Sequence, residues 1–358
     1  MASKRVTMQD IADACGLSRN TVSKVFNGHG SVPPSTRDLV LRTSRELGYG
    51  SPAEDTPVRT QRKNAGNIAL LTRLLPGDVH FGTVFLSSFT DQISRSGYSL
   101  KIYKISPEEL EEKRLPPHFA PDQIAGIVGI ELFSQAYLDM ICSLGIPTVM
   151  TDSPIDAISS LMQCDYVTME NIAGILALVE RLAGAGAKRI GFVGDNYHCG
   201  SFGERWSGFN LGLKTYGLQL DERFCISEPD ASPYGDPAWL ISRIREMPAV
   251  PDAFVCANDY LAIHLMSALK KMGLSIPKDV MVTGFDGTSQ SALVDPPLTT
   301  VAIPGVDMGR IAAHILLTRI GNPDLPFIWT RVKTTPVWRG SIREKQQQKR
   351  AKERTVIA

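Results

Sequence analysis

Residues 6–27 read V-T-M-Q-D-I-A-D-A-C-G-L-S-R-N-T-V-S-K-V-F-N. Thr7 can cap a first helix running to about Cys15, with Met8, Ile11, Ala12 and Cys15 on one face at i, i+3, i+4 and i+7. Gly16 then supplies the positive φ of a sharp turn. Ser18 caps a second helix whose apolar side is Val22, Val25 and Phe26, and whose polar side is Arg19, Asn20, Ser23, Lys24 and Asn27. Ala12, Gly16 and Ser18 together have helix-turn-helix spacing: a small residue for close crossing, a glycine for the turn, and a cap for the recognition helix.

A third helix follows. Pro33-Pro34 stop the loop before it, and Ser35-Thr36-Arg37-Asp38 resembles a capping box with Asp in place of Glu. Leu39, Val40, Thr43 and Leu47 form its expected buried stripe, with Gly48 closing it before Tyr49. Three short helices with an exposed polar face make a DNA-reading head. Arg19 and Lys24 suit guanine O6 and N7, and Asn20 suits adenine N6 and N7. Thr7, Ser18, Thr21 and Ser23 suit phosphates, and Asn27 extends the same face. The competing interpretation is a three-helix bundle without a nucleic-acid role.

Charge distribution agrees with the first interpretation. Residues 1–63 carry ten Lys/Arg against six Asp/Glu, a balance of +4 within a chain whose net charge is +1. The tail 341–358 is also +4, so the middle is −7. A basic head on an acidic body expects only the head to meet a polyanion. With 43% apolar and 21% charged residues, the chain has an ordinary globular composition. It has no apolar run of the roughly 18–20 residues that span a bilayer and no leader-like start, so a cytoplasmic protein is expected. Cys15, Cys142, Cys164, Cys199, Cys225 and Cys256 are scattered without metal spacing, and the six histidines are dispersed. The expectation is free thiols, no metal and no cofactor.

The head resembles that of the LacI/GalR family of bacterial regulators almost position by position, through T-M-Q-D-I-A-D-A-C-G-L-S-R-N-T-V-S-K-V-F-N and the later S-x-x-T-R…E-L-G-Y. The resemblance implies that Arg19 and Asn20 help choose an operator and that Lys24 occupies a commonly basic position. In the family, the segment after the head's tyrosine forms a hinge helix that pushes a leucine into the minor groove. Here Gly50–Arg59 holds two prolines and adjacent acids, with Val58 at the wedge position. Pro57 inside a helix costs about 3 kcal/mol, so the hinge helix is expected to be absent or reshaped.

From Asn67 onward, apolar runs alternate with amphipathic stretches. Ile68–Thr72, Leu100–Ile105, Ile124–Ile130 and Pro147–Thr151 read as buried parallel strands, with helices over Val84–Ser96 and Ala136–Leu144. The rhythm restarts after Cys164, with strands over Arg189–Gly194, Ala253–Ala257 and Val280–Gly284 and helices over Ile172–Leu182, Arg205–Tyr216 and Tyr260–Met272. The expected fold is thus an all-α helix-turn-helix head plus an α/β body of two doubly wound parallel-sheet subdomains, periplasmic-binding-protein-like, with a ligand cleft at the strand C-termini. Expected boundaries are 1–50 for the head, 51–65 for the linker, 66–340 for the body and 341–358 for the basic tail. Within the body, about 66–162 with 298–325 forms one subdomain, and about 163–297 with 326–340 the other.

The family resemblance continues over about residues 5–340. It runs through K-R-I-G-F-V-G at 188–194, E-R-W-S-G-F at 204–209, D-A-F-V-C-A-N-D at 252–259, V-T-G-F-D at 282–286 and P-L-T-T-V at 297–301, with Phe81 and I-P-T-V-M-T-D at 146–152. These positions nominate Phe81, Asp152, Arg205, Asn258, Asp259 and Asp286 as effector contacts, with Asn258 and Asp259 alternatively capping a helix. Tyr166, Tyr234 and Phe285 offer further aromatic faces. Gly184-Ala185-Gly186 precedes a strand rather than following one, so it is no dinucleotide loop. Gly194…Gly200…Gly203 has neither nucleotide-loop spacing and reads as a flexible cleft loop. No nucleophile–base pattern marks an enzyme. The tail lacks an apolar heptad for tetramerisation. The expected function is a homodimeric regulator, a repressor, binding a pseudo-palindromic operator in double-stranded DNA under control of a small molecule, a sugar by family habit. The rivals are a transporter's solute-binding protein and a sugar-modifying enzyme. Neither explains residues 5–49.

Overall fold

The computed structural model describes residues 6–26, 32–47, 65–73, 82–152, 154–155 and 163–344. The expectations for Asn27, Gly48, Phe81, the linker helix and the tail beyond 344 lie outside these residues. The chain separates into two compact units, Met1–Gln61 and Arg62–Ala358.

The first unit holds α1 (Met8–Cys15), α2 (Arg19–Phe26) and α3 (Pro34–Glu46) around a core of Ile11, Ala12, Val22, Val25 and Val40. Thr7 caps α1 in a capping box: its hydroxyl accepts the Asp10 amide, and the Asp10 carboxylate accepts the Thr7 amide at 2.7 Å. Gly16 ends the helix at φ 65°, where a β-carbon would be strained, and its amide returns to the Ala12 and Asp13 carbonyls. Two details of α3 differ from expectation. The capping box at Ser35 does not form, because the helix already starts at Pro34 and the Pro33 carbonyl accepts the Thr36 and Arg37 amides. Leu47 is 39% exposed, and Ser44 takes the buried place by donating its hydroxyl to the Leu41 carbonyl at 2.9 Å.

The second unit carries a six-stranded parallel sheet. In chain order its elements are β1 (Gly66–Thr72), α4 (Gly82–Arg95), β2 (Tyr98–Lys104), α5 (Pro107–Glu112), β3 (Ile124–Ile130), α6 (Gln135–Ser143), β4 (Thr148–Thr151) and β5 (Asp165–Met169). The chain then forms α7 (Ile172–Gly184), β6 (Ile190–Val193), α8 (Gly200–Thr215), α9 (Pro237–Glu246), β7 (Ala253–Cys256), α10 (Asp259–Lys271), β8 (Met281–Thr283) and α11 (Ser289–Leu293). It closes with β9 (Thr300–Ala302), α12 (Gly305–Gly321), β10 (Trp329–Val332) and β11 (Thr335–Val337). The large sheet has the order β10-β5-β4-β3-β1-β2, the small one β6-β7-β8, and β9 pairs antiparallel with β11. Every pairing within the two main sheets is parallel.

Strands β3 and β7 are central and buried on both faces, which is why they read as apolar runs. Strand β2 is different: it is an edge, its burial alternates, and Ile102 is 49% exposed. The strands β5 and β10 move the expected subdomain boundaries. Hydrogen bonding puts both in the large sheet, β5 beside β4 and β10 beyond β5, whereas breaks at 162/163 and 325/326 would assign them to the other subdomain. Helix α8 starts at Gly200, so the glycines at 200 and 203 lie in its first turn rather than in a flexible loop. Gly208, farther along α8, allows close packing on α7, since a β-carbon there would sit 3.0 Å from the Ile172 carbonyl oxygen.

Candidate functional site

In the head, the side chains of Arg19, Asn20 and Lys24 project from α2 to solvent, while Val22 and Val25 fill the core. Thr21 and Ser23 are half-buried on the flanks. Ser18 caps α2, accepting the Thr21 amide at 3.1 Å and sharing a 2.8 Å bond with the Thr21 hydroxyl. Thr7 and Ser18 are both exposed at helix starts, so their amides and hydroxyls lie at the positive ends of helix dipoles.

In the body, the strand exits converge on a cleft of about 700 Å³. Arg73 follows β1, Glu131 and Phe133 follow β3, Asp152 follows β4, Asn258 follows β7 and Asp286 follows β8. Helix α8 contributes Ser201, Phe202 and Arg205, and connecting segments contribute His198, Asp230 and Tyr234. Three of the acidic residues have left-handed backbones, with φ of 55° at Glu131, 61° at Asp152 and 109° at Asp286. Such conformations cost about 1–3 kcal/mol each and concentrate where a side chain must be aimed.

Arg205 is only 2% exposed. Its Nε donates to Asn171 Oδ1 at 2.9 Å and its Nη1 to the Ala257 carbonyl at 2.7 Å, while Asp286 Oδ1 lies 3.5 Å from Nη1. The guanidinium stacks 3.7 Å from the centroid of Phe285, so that buried ring presents its face to arginine and not to a ligand. Burial pushes the Asp286 carboxyl up to about 8 against the pull of Arg205, with Asp259, Glu131 and Asp152 adding to the rise. At neutral pH this carboxyl is mostly protonated and can donate.

Asp152 crosses the cleft, accepting the Ser201 amide in the first turn of α8 at 3.2 Å. Asn258 lines the cleft and caps α10, accepting the Leu261 amide at 2.9 Å. Asp259 is a correction. It is fully buried away from the cleft lining, with Oδ1 accepting the Thr300 hydroxyl and Oδ2 accepting the Thr288 amide and hydroxyl. Its local job is to join α10 to β9 and to the turn before α11. Tyr166 is likewise buried outside the cleft, its ring tilted against that of Trp329 at 5.2 Å between centroids, whereas Tyr234 lines the cleft and donates to the Glu228 carbonyl at 2.7 Å.

Several lining residues escaped the sequence reading: Glu131, Phe133, His198, Phe202, Asp230 and Tyr260. Glu131 had a signal, because it directly follows an apolar strand, as Asp152 does. His198 packs edge-on against Phe133 and Phe202, and its Nδ1 lies 3.6 Å from Asp230. Glu204 also acquires a place: it accepts from Asn171 Nδ2 at 2.9 Å and from Arg331, which holds Asn171 for Arg205. Among the described residues no His/Cys/Asp/Glu group could hold a metal, and no helix is long and apolar enough to cross a membrane.

Comparison with known proteins matches residues 7–51 to the model of bacterial regulatory proteins of the lacI family and residues 179–342 to the periplasmic binding protein-like domain. The HTH-type transcriptional regulator reg1 of Streptomyces lividans is 30% identical over 89% of this chain and 91% of its own. The ribose operon repressor of Bacillus subtilis is 26% identical over 94% of this chain and 99% of its own. Among solved structures, the complex of the transcriptional regulator CelR with cellobiose superposes with a TM-score of 0.66 at 26% identity, covering 94% of this chain and all of that one. A helix-turn-helix head, a two-sheet body with a strand-exit cleft and these near-full-length similarities place the chain in the LacI family of bacterial transcriptional regulators.

Proposed function

We propose that the protein is a cytoplasmic, homodimeric repressor whose operator affinity is set by a neutral saccharide bound in the body cleft. The observation that carries the saccharide is the lining itself. Glu131, Asp152 and Asp230 supply acceptors, Arg205 and the protonated Asp286 supply donors, and Phe133, Phe202, Tyr234 and Tyr260 supply flat walls. Beside the protonated Asp286, three further acids against two arginines disfavour an anion, whereas vicinal hydroxyls both give and take hydrogen bonds. A cleft of about 700 Å³ has room for more than one sugar ring. The cellobiose complex of CelR and the ribose operon repressor support the same class of ligand.

Two heads on a dimer would read the two halves of a pseudo-palindrome, with Arg19, Asn20 and Lys24 on base edges and Thr7, Ser18, Thr21 and Ser23 on phosphates. Saccharide binding across the strand exits would favour one arrangement of the body, and a coupling of about 1–3 kcal/mol suffices for a 5–150-fold change in operator affinity. The cleft binds its ligand without turning it over. Genomic-fragment selection with the purified chain, followed by elution with individual mono- and disaccharides, tests this. Recovery of a palindromic site that a neutral saccharide releases supports the proposal; fragments indifferent to every saccharide but released by an anionic metabolite contradict it.

A further inference from the structure

Glu204 and Arg205 are adjacent on α8, so their side chains leave the helix about 100° apart. Arg205 lines the cleft, and the Glu204 carboxylate beside it is shared between two partners. Oε2 accepts from Asn171 Nδ2 at 2.9 Å, and Oε1 accepts from Arg331 Nη2 at 2.5 Å. Asn171 lies between β5 and α7, and Arg331 lies on β10, the edge strand of the large sheet. The segments that follow β5 and β10 are also bonded to each other. The Glu170 amide donates to the Val332 carbonyl at 2.8 Å, and the Thr334 hydroxyl to the Glu170 carbonyl at 2.9 Å. Glu204 thus clasps α8 to both exits from the large sheet.

The clasp fixes an amide. Asn171 is buried, and its Nδ2 has two acceptors, Glu204 Oε2 and the Met169 carbonyl at 3.2 Å. With both N–H groups so used, Oδ1 faces Arg205 and accepts its Nε at 2.9 Å. Without the carboxylate one N–H loses its acceptor, and a flipped amide would turn its NH2 on the guanidinium. The Nε bond, the Nη1 bond to Ala257 and the stack on Phe285 leave Nη2 for the cleft, and it has no partner among the described residues. Exposed ion pairs contribute little, but the Glu204 side chain is only 11% exposed and one of its partners is a buried amide.

We propose that Glu204 is a positioning residue for ligand binding: through Asn171 it aims the Arg205 guanidinium at the cleft, and through Arg331 it makes that aim depend on the edge strand of the large sheet. This role rests on the cleft being the ligand site, and it gives Glu204 and Arg331 a share in affinity although neither lines the cleft. Arg331 is itself held. Its guanidinium lies 5.5 Å from the Trp329 ring centroid, and Trp329 Nε1 donates to Thr168 Oγ1 at 3.0 Å. A displacement of β10 relative to α8 would draw the carboxylate from Asn171 and loosen Arg205. A ligand that holds Arg205 favours, in return, the clasped arrangement.

The test is nuclear magnetic resonance of the full chain carrying isotope-labelled arginine, joined to calorimetry with a saccharide recovered by elution. The Arg205 Nε–H signal is assigned by its loss in Arg205→Lys. In wild type it is protected from exchange with water, because the group is buried and bonded to Asn171. Glu204→Gln keeps the shape of the side chain but cannot accept from both partners. It and Arg331→Met should each shift the Arg205 signal and speed its exchange. Both should weaken saccharide binding about 10-fold with the urea midpoint near wild type, and Arg331→Lys should recover most of the loss. In an Arg205→Lys background, Glu204→Gln should cost no further affinity. An Arg205 signal that neither variant moves overturns the proposal whether or not a saccharide binds, and so does a Glu204→Gln loss that adds in full to that of Arg205→Lys. A wild type that binds no saccharide refutes the ligand assignment instead, and the Arg205 signal still decides the role of Glu204.

Discussion

Two buried arginine–aspartate pairs lie at opposite ends of the parallel strands and are built differently. Asp165 opens β5, and Arg319 meets it with a two-pronged fork, Nε to Oδ2 and Nη2 to Oδ1, both at 2.9 Å. The remaining donors of Arg319 reach the Pro323, Leu325 and Pro326 carbonyls, and Asp165 Oδ1 also accepts the Ile328 amide. Little capacity is left for a ligand. Asp286, beyond the end of β8, has instead a single 3.5 Å contact with Arg205 and a carboxyl pushed up to about 8. The saturated pair holds the fold; the slack pair keeps hydrogen-bonding capacity at the cleft.

Breaking the saturated pair has the largest expected effect. Arg319→Met leaves Asp165 uncompensated in the sheet and costs about 3–5 kcal/mol, read as a fall in the urea midpoint. Adding Asp165→Leu recovers much of that loss. If Arg319→Met leaves the midpoint unchanged, the pair is not structural. The slack pair responds the other way. Asp286→Asn raises the urea midpoint at neutral pH, because the folded wild type holds a proton there that the unfolded chain releases, but weakens saccharide binding about 10–100-fold, as one matched hydrogen-bonding group is lost; calorimetric titration checks the binding.

Proton linkage sharpens the contrast. The Asp286 pKa is raised on folding, so its contribution is present below about 4, near the unfolded value, and is lost as pH climbs through about 8. Wild-type melting temperature should therefore fall more than that of Asp286→Asn between pH 5 and pH 8; parallel profiles would show that the carboxyl is already ionised. In the head, Arg19→Ala should cost about 1–3 kcal/mol of operator binding by anisotropy and leave saccharide binding untouched. The smallest effect belongs to the cap: Thr7→Ala removes one bond from the α1 box and costs about 1 kcal/mol of head stability, read by thermal unfolding.

Legibility followed the range of the interactions. The α1–Gly16–α2 unit is local: cap, apolar spacing and turn glycine lie within about twenty residues, and each reports its own conformation. Central strands announce themselves because burial on both faces demands apolar runs. The strand β10, by contrast, holds Trp329, Thr330, Arg331 and Val332 with alternating exposure, and only its pairing with β5 makes it part of the sheet. Asp259 was misplaced for a similar reason. Its N-D motif points to a strand exit, but the burial that turns it inward depends on Thr288 and Thr300 from later in the chain. His198 reaches the cleft through folding of the whole body.

The decisive measurement is operator binding by the full chain during titration with a saccharide recovered in the elution screen, for wild type and Asp286→Asn in parallel. The expected result is a saccharide-dependent change in wild-type operator affinity of 5–150-fold, with the midpoint displaced about 10–100-fold to higher concentration in the variant and the saccharide-free affinity unchanged. Identical midpoints would contradict the assignment of the strand-exit cleft as the regulatory site.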